Sequence, residues 1–172
     1  MTRLAIVLVL WASASVAAEP KPCSGPEHRQ FDFWAGDWDT FESNDAKTVV
    51  ARDRVDVILD GCVLREVYEG ADGLTGESYS IYDPSRKLWS HTWVTNRGQL
   101  VVLEGRLDGD RMVLSGSELT SGGRTHLRVS WRPGDGGVRE VAEVSADQGR
   151  TWAPLFDIVF RRRAPSSAPA SR

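Results

Sequence analysis

From about residue 34 to residue 162 the chain alternates between short β-branched or aromatic runs and turn chemistry. The turns are signalled by Asp72-Gly73, Asp83-Pro84, Asn96-Arg97-Gly98, Asp108-Gly109, Gly122-Gly123 and Gly134-Asp135-Gly136-Gly137. The segments around them, 34–43, 47–59, 62–70, 75–83, 87–95, 99–108, 110–119, 123–132, 138–146 and 151–162, have strand length. None keeps a 3.6-residue period. About ten short strands joined by tight hairpins predict an all-β fold, a single antiparallel up-and-down barrel. Closure leaves no unpaired sheet edge. A barrel of this strand number is wide enough to hold a small ligand.

Several runs alternate as a sheet does when one face is wet. Val49, Ala51, Val55 and Val57 interleave with Val50, Arg52, Arg54 and Asp56. Trp152, Pro154, Phe156, Ile158 and Phe160 form one apolar face of the last run. Ahead of the strands, Phe31-Asp32-Phe33-Trp34-Ala35-Gly36-Asp37-Trp38 sets four aromatic rings in eight positions. This is a heavy apolar plug. Ser24 and Glu27 have capping-box spacing and Pro26 suits a first turn, so a short helical turn is expected to reach about Phe33 and lid one barrel end.

Residues 1–18 read as an export signal: Arg3, an apolar run from Leu4 to Val16, then Ala17-Ala18 for cleavage. That run is too short to span a bilayer, and no later segment approaches the required length. Cys23 follows Pro22, not the small-residue box of a lipidated cysteine. The expectation is a periplasmic or secreted protein with no membrane anchor, a barrel domain over 19–163 and a disordered Pro/Ser/Ala tail over 164–172. The formal net charge of −3 argues against a nucleic-acid partner, which needs a basic face. Two cysteines in an exported chain, Cys23 and Cys62, read first as one disulfide. The rival reading, a metal or catalytic thiol, lacks a nearby His pair.

Candidate ligand contacts come from the strand faces. Trp89, His91 and Trp93 alternate and so share one face of the fifth strand. Turned inward, they offer flat rings and one switchable polar group. The opposite face (Leu88, Ser90, Thr92, Val94) also fits inside. Glu66 and Tyr68 share a face of the third strand with Cys62 and Leu64, and Arg139, Glu143 and Ser145 alternate on the ninth. A buried charge needs a partner, so Glu66 with Arg128 or Arg139 is the expected internal pair, placed to orient a carboxylate or hydroxyl ligand. The same residues also fit a water-facing surface.

Other motifs carry less. His28, His91 and His126 lack metal-ligand spacing, so neither a metal nor a cofactor is expected; one internal His as an axial heme ligand stays open. There is no nucleophile elbow. Asp32, Asp37 and Asp39 read as turn caps. Ser145 to Trp152 matches the Asp-box S-x-D-x-G-x-x-W, in which the Asp accepts turn amides and the Gly takes positive φ. Propellers repeat that box in every blade. A single copy in a chain this short reads as a turn between strands nine and ten.

Gly36-x-Trp38 has the G-x-W spacing that opens lipocalin-type barrels. With Phe31-Asp32-Phe33-Trp34 and Asp39 it is followed by Gly61-Cys62-x-x-x-Glu66, Gly76-x-Ser78, Tyr82-Asp83, Trp89, Trp93, Gly105, the Ser145–Trp152 box and Phe156-Asp157. In this order the elements resemble an uncharacterised family of mostly bacterial exported proteins, a domain of unknown function grouped with the calycin, lipocalin-like barrels. The resemblance implies an antiparallel barrel with an internal cavity and carries no activity. Lipocalins stack an Arg near the chain end on the floor Trp. This implies a floor of Trp34 and Trp38, with Arg161 or Arg162 over Trp38 by cation–π contact. Nitrobindin-type barrels bind heme through a His but open with a glycine-rich Tyr-Pro signature that this chain lacks.

The expected function is a non-enzymatic binding barrel of the cell envelope, holding a small, partly apolar ligand. Two alternatives stand beside it. One is a hydrolase or isomerase using His91 or Glu66 as general base. The other is a protein-interaction module whose barrel is filled by its own side chains.

Overall fold

A computed structural model of the chain describes residues 21–120, 123–134 and 136–163. The expected export signal and C-terminal tail lie outside the described residues. Ten strands follow in order: β1 (Gly36–Glu42), β2 (Val49–Ile58), β3 (Val63–Gly70), β4 (Thr75–Asp83), β5 (Leu88–Thr95), β6 (Leu100–Asp108), β7 (Arg111–Thr120), β8 (Gly123–Gly134), β9 (Gly137–Ser145) and β10 (Ala153–Arg162). Each pairs antiparallel with its chain neighbours, and β10 returns to β1 to close the sheet. The protein is a closed, ten-stranded, up-and-down antiparallel barrel, and its strands begin and end within a residue or two of the bounds that the turn chemistry predicts.

The pleat sorts side chains by phase. On β2, Ala51, Asp53 and Val55 are buried while Arg52 and Arg54 face water. Val49 and Val57 share the inward phase but are 40% and 39% exposed, because they lie at or near the strand ends. On β10, Phe156, Ile158 and Phe160 join the core. Trp152 and Pro154 do not continue that face: Trp152 precedes the strand, and the pairing slips between Pro154 and Phe156.

Two 3₁₀ turns, Pro26–Arg29 and Asp32–Trp34, precede β1. They replace the single capped turn expected from Ser24 and Glu27. Gly25 occupies the N-cap, and Ser24 Oγ donates to Lys21 O. The turns push Phe31 and Trp34 into one end of the barrel. Phe31 is fully buried, stacks on Trp34 at 5.3 Å between ring centres, and meets Trp89 and Trp131 edge-on at 5.7 and 5.3 Å. Trp38 Nε1 donates to Trp34 O at 2.9 Å. Truncating any one of these rings to alanine is expected to cost about 3–5 kcal/mol.

The floor arginine is Arg162, not Arg161. Trp38 lies directly opposite Arg162 in the β1–β10 register, and the Arg162 guanidinium sits 4.1 Å from the Trp38 ring centre. Arg161 falls on the outward phase, where it stacks on Phe41 at 4.8 Å and donates to Ala46 O. Gly36 makes the Arg162 contact feasible. Its φ is +153°, and a Cβ there would lie 1.9 Å from an Arg162 guanidinium nitrogen.

Cys23 and Cys62 form a disulfide with Cα atoms 5.0 Å apart. Cys62 closes a 3₁₀ turn (Leu59–Gly61) just before β3, not within that strand. The bond ties the plug segment to the sheet, and Arg29 reinforces it by donating to Gly61 O. Among the described residues no helix is long and apolar enough to cross a membrane. Closing a loop of this length stabilises by roughly 3–4 kcal/mol in the chain-entropy model. Thermal melts with and without reductant should therefore differ by about 10 °C, the reduced protein melting lower. An unchanged melting temperature would show that the bond contributes nothing to the plug's attachment.

Candidate ligand-binding cavity

The plug seals one end and leaves the rest of the barrel hollow. The cavity measures about 670 Å³. Trp34, Trp131 and Phe160 line its closed end, and Glu42, Thr48, Ala71, Leu74 and Gln99 belong to the loop end of the sheet. This volume falls in the range of small-molecule sites. The barrel is thus not filled by its own side chains, contrary to what the interaction-module alternative requires. The walls are mostly apolar: Val101, Leu103, Leu127, Val129 and Ile158.

The fold brings some of the candidate residues together and separates others. Trp89, His91 and Trp93 all take the inward phase of β5. Trp89 joins the plug, its Nε1 donating to Gln30 Oε1 at 3.2 Å, whereas His91 and Trp93 line the cavity. Glu66 and Tyr68 line it as well, with Tyr68 edge-on to Trp93 at 5.6 Å. Gly76 makes room there, since a Cβ at that position would lie 2.4 Å from the Trp93 ring.

Arg128, Arg139 and Glu143 do not line the cavity. On β9 the inward residues are Val138, Glu140 and Ala142, the opposite phase from the one expected. The outward phase lets Arg139 Nε donate to Asp157 at 2.8 Å, and Arg128 pair with Glu143 at 2.7 Å while stacking 4.2 Å over Trp152. Glu66 therefore pairs with neither of these arginines. Ser145 and Asp147 build the β9–β10 turn: Asp147 accepts from Thr151 Oγ1 at 2.6 Å, Thr151 N at 2.8 Å and Arg150 N at 3.0 Å, and these bonds, the Thr151 hydroxyl first, hold its carboxyl well below the usual range.

The chemistry instead comes from three buried carboxyl groups: Asp53 on β2, Glu66 on β3 and Glu140 on β9, at 3%, 6% and 9% exposure. Thr40 Oγ1 donates to Asp53 Oδ2, and Ser78 Oγ donates to Glu66 Oε2 at 2.7 Å. Asp53 Oδ1 is buried without a hydrogen-bond partner, as are Trp34 Nε1 and Trp131 Nε1. Sequence reasoning missed Asp53 and Glu140. Both were legible as charges in phase with small apolar neighbours: Ala51 and Val55 flank Asp53, and Val138 and Ala142 flank Glu140.

Burial dominates the titration of all three. It raises Asp53 to about 6, although the Thr40 hydroxyl and a nearby proton on Glu66 favour its anion. Burial first, then repulsion from Asp53 and Glu140, pushes Glu66 well above the carboxylate range. Burial and the Asp53 charge raise Glu140 to about 8; Trp131 Nε1 lies near enough to favour the anion slightly, yet makes no hydrogen bond. Tyr68 is raised to about 12, chiefly by burial. His91 shares a 2.8 Å hydrogen bond between Nδ1 and Ser80 Oγ, packs on Trp131 at 5.4 Å, and is held neutral by burial, lowered to about 4.

The site can thus store protons, act as a base, or pair with a cation. Among the described residues no three His, Cys, Asp or Glu side chains are placed to hold a metal ion. His28 and His126 do not line the cavity, so His91 is the one histidine facing a ligand there. No protein-family model matches the chain, and no curated protein is similar to it in sequence.

The carboxyl cluster gives stability a pH signature. A carboxyl whose folded pKa is raised binds its proton more tightly in the fold, so its contribution is full below the unfolded pKa and is lost as pH rises towards the folded value. His91, lowered, opposes this only below about pH 6.5. Between pH 6.5 and 8 the carboxyls act alone, and denaturant unfolding should show stability falling. Each group still protonated in the fold contributes about 1.4 kcal/mol per pH unit at most. Glu140→Gln should flatten that slope; an equally steep slope in the variant would place the titration elsewhere.

Proposed function

We propose that the protein is a binding barrel that sequesters a small, partly apolar molecule in its cavity, in the periplasm or outside the cell. One observation carries this reading. The 670 Å³ hollow is lined by three buried carboxyl groups and two buried indoles, and Asp53 Oδ1, Trp34 Nε1 and Trp131 Nε1 among them lack a well-formed hydrogen bond within the protein. A core shaped for stability alone would exclude or pair such groups. Two indole donors and one carboxylate acceptor, set among apolar walls, suit a ligand with an apolar body and a polar end. The disulfide supports an oxidising compartment. The floor of Trp38 and Arg162 behind Gly36 supports kinship with lipocalin-like binding barrels.

Titration with N-phenyl-1-naphthylamine, a neutral apolar fluorophore, tests the reading. Saturable one-to-one uptake is expected. It should be lost in Ile158→Trp, which projects extra bulk from a wall residue into the hollow while leaving the plug untouched. Uptake that is unsaturable, or equal in the variant, would refute an internal site. Native mass spectrometry of protein from its own host would then weigh the retained molecule, and a Soret band would identify it as heme.

A second reading, acid–base catalysis, is favoured by the Asp53–Glu66 pair. Asp53, at about 6, is poised near neutral pH in an enclosed site. A retained molecule recovered chemically unchanged after prolonged incubation supports binding; its conversion, abolished in Glu66→Gln, supports catalysis.

A further inference from the structure

Resting on the binding reading above, we propose that the cavity's occupant is a small organic cation, an ammonium compound with an apolar or aromatic body, whose charge sits among Asp53, Glu66 and Glu140. Three features of the wall converge on this class. The first is an imbalance of charge. Three inward carboxyl groups from separate strands share the hollow, and among the described residues no lysine or arginine lines it. Arg162, on the inward phase of β10, is committed to Trp38 at the sealed end. The outer-surface arginines Arg65, Arg128 and Arg139 are paired with Glu77, Glu143 and Asp157. A carboxylate ligand would add a fourth acid to an uncompensated group of three.

The second feature is aromatic. Trp34, Tyr68, Trp93, Trp131 and Phe160 line the same space, and ring faces attract a desolvated ammonium. Carboxylates and rings together, without basic side chains, distinguish a cation site from a general apolar pocket. The third is polar satisfaction. Asp53 Oδ1 is an orphan acceptor that an ammonium N–H would fill, and the Trp34 and Trp131 indoles offer donors to a hydroxyl or carbonyl oxygen elsewhere on the molecule. Glu42 adds one more negative group to the lining.

The groups that face the occupant are Glu42 and Thr40 on β1, Asp53 on β2, Glu66 and Tyr68 on β3, His91 and Trp93 on β5, Trp131 on β8 and Glu140 on β9, with Ser78 and Ser80 of β4 bonded to Glu66 and His91. Asp72, at the mouth, is paired with Arg97 at 2.9 Å. Of these, Glu66 and Glu140 hold protons near pH 7 that a cation must displace, whereas Asp53, at about 6, is already largely ionised there. Binding near pH 7 therefore releases protons, and affinity for the cation rises with pH.

Isothermal titration with three matched probes tests the assignment: 4-phenylbutylammonium, 4-phenylbutan-1-ol and 5-phenylpentanoate. At pH 8 the ammonium should bind at least about tenfold tighter than the alcohol, and the carboxylate weakest. The preference should shrink at pH 5. Repeating the ammonium titration in buffers of different ionisation enthalpy should reveal released protons. Asp53→Asn with Glu66→Gln and Glu140→Gln should abolish the preference but keep alcohol binding, which also reports that the triple variant folds. Should that variant not fold, Glu140→Gln alone should reduce the preference. Alcohol or carboxylate binding as tight as the ammonium overturns the cation assignment and leaves the binding barrel standing. An ammonium preference that survives the substitutions overturns the role of the acids. Failure of all three probes to bind overturns both.

Discussion

The aromatic plug decides what the rest of this barrel can be. A closed ten-stranded sheet encloses more space than its own inward side chains fill. Rings brought in from outside the sheet fill one end. Phe31, on the 3₁₀ segment, touches Trp34, Trp89 and Trp131 at once, and Trp38 hangs from the Trp34 carbonyl. The disulfide and the Arg29–Gly61 contact hold that segment against β3. Arg162 covers the Trp38 ring from below. The rings fill this end, and the space left beside them takes polar groups: Asp53 lies directly across from Trp38, and Glu140 across from Trp131.

That division explains which features were legible in the sequence. Strand bounds, closure and the plug follow from turn chemistry and from a run of rings, both local signals. The period of two puts Trp89, His91 and Trp93 on one face but leaves open which face turns inward, and the fold settles that. The acid cluster was hidden because charge on a strand ordinarily marks the wet face. In β2 the apolar pair Ala51 and Val55 draws attention away from Asp53 between them. In β9 the alternating Arg139 and Glu143 suggest the wrong inward phase, although Val138 and Ala142 fix Glu140 inside. The expected Glu66–arginine pair failed for a related reason. Arg128 and Arg139 each have a carboxylate across the outer face, and such cross-strand partners are invisible until register is known. The shift from Arg161 to Arg162 is the same matter of one residue of register.

The titration behaviour follows from geometry, not from any single contact. Asp53, Glu66 and Glu140 sit on strands that are not all adjacent, yet each feels the others because the barrel wall curves round a space of low polarity. Hydroxyls from Thr40 and Ser78 meet part of their hydrogen-bonding need but bring no charge. Like charges in such a place are accommodated by keeping protons. The pair Asp53 and Glu66 behaves as one unit, with Glu66 the better proton holder.

Such an interior is a poor choice for stability. Replacing buried ionisable groups by apolar ones of similar size is often neutral or stabilising. Here three are kept around one cavity, with no lysine or arginine among the described residues that line it and with two indole N–H groups that make no hydrogen bond. Closure, the plug and the disulfide stabilise the fold around them. Local rules are broken at the wall where a ligand would act. The penalty for the uncompensated acids is largest in the empty barrel above neutral pH, and a bound positive charge removes it. Occupancy and stability are then linked by mass action, so the molecule that fills the hollow also stabilises the barrel around it.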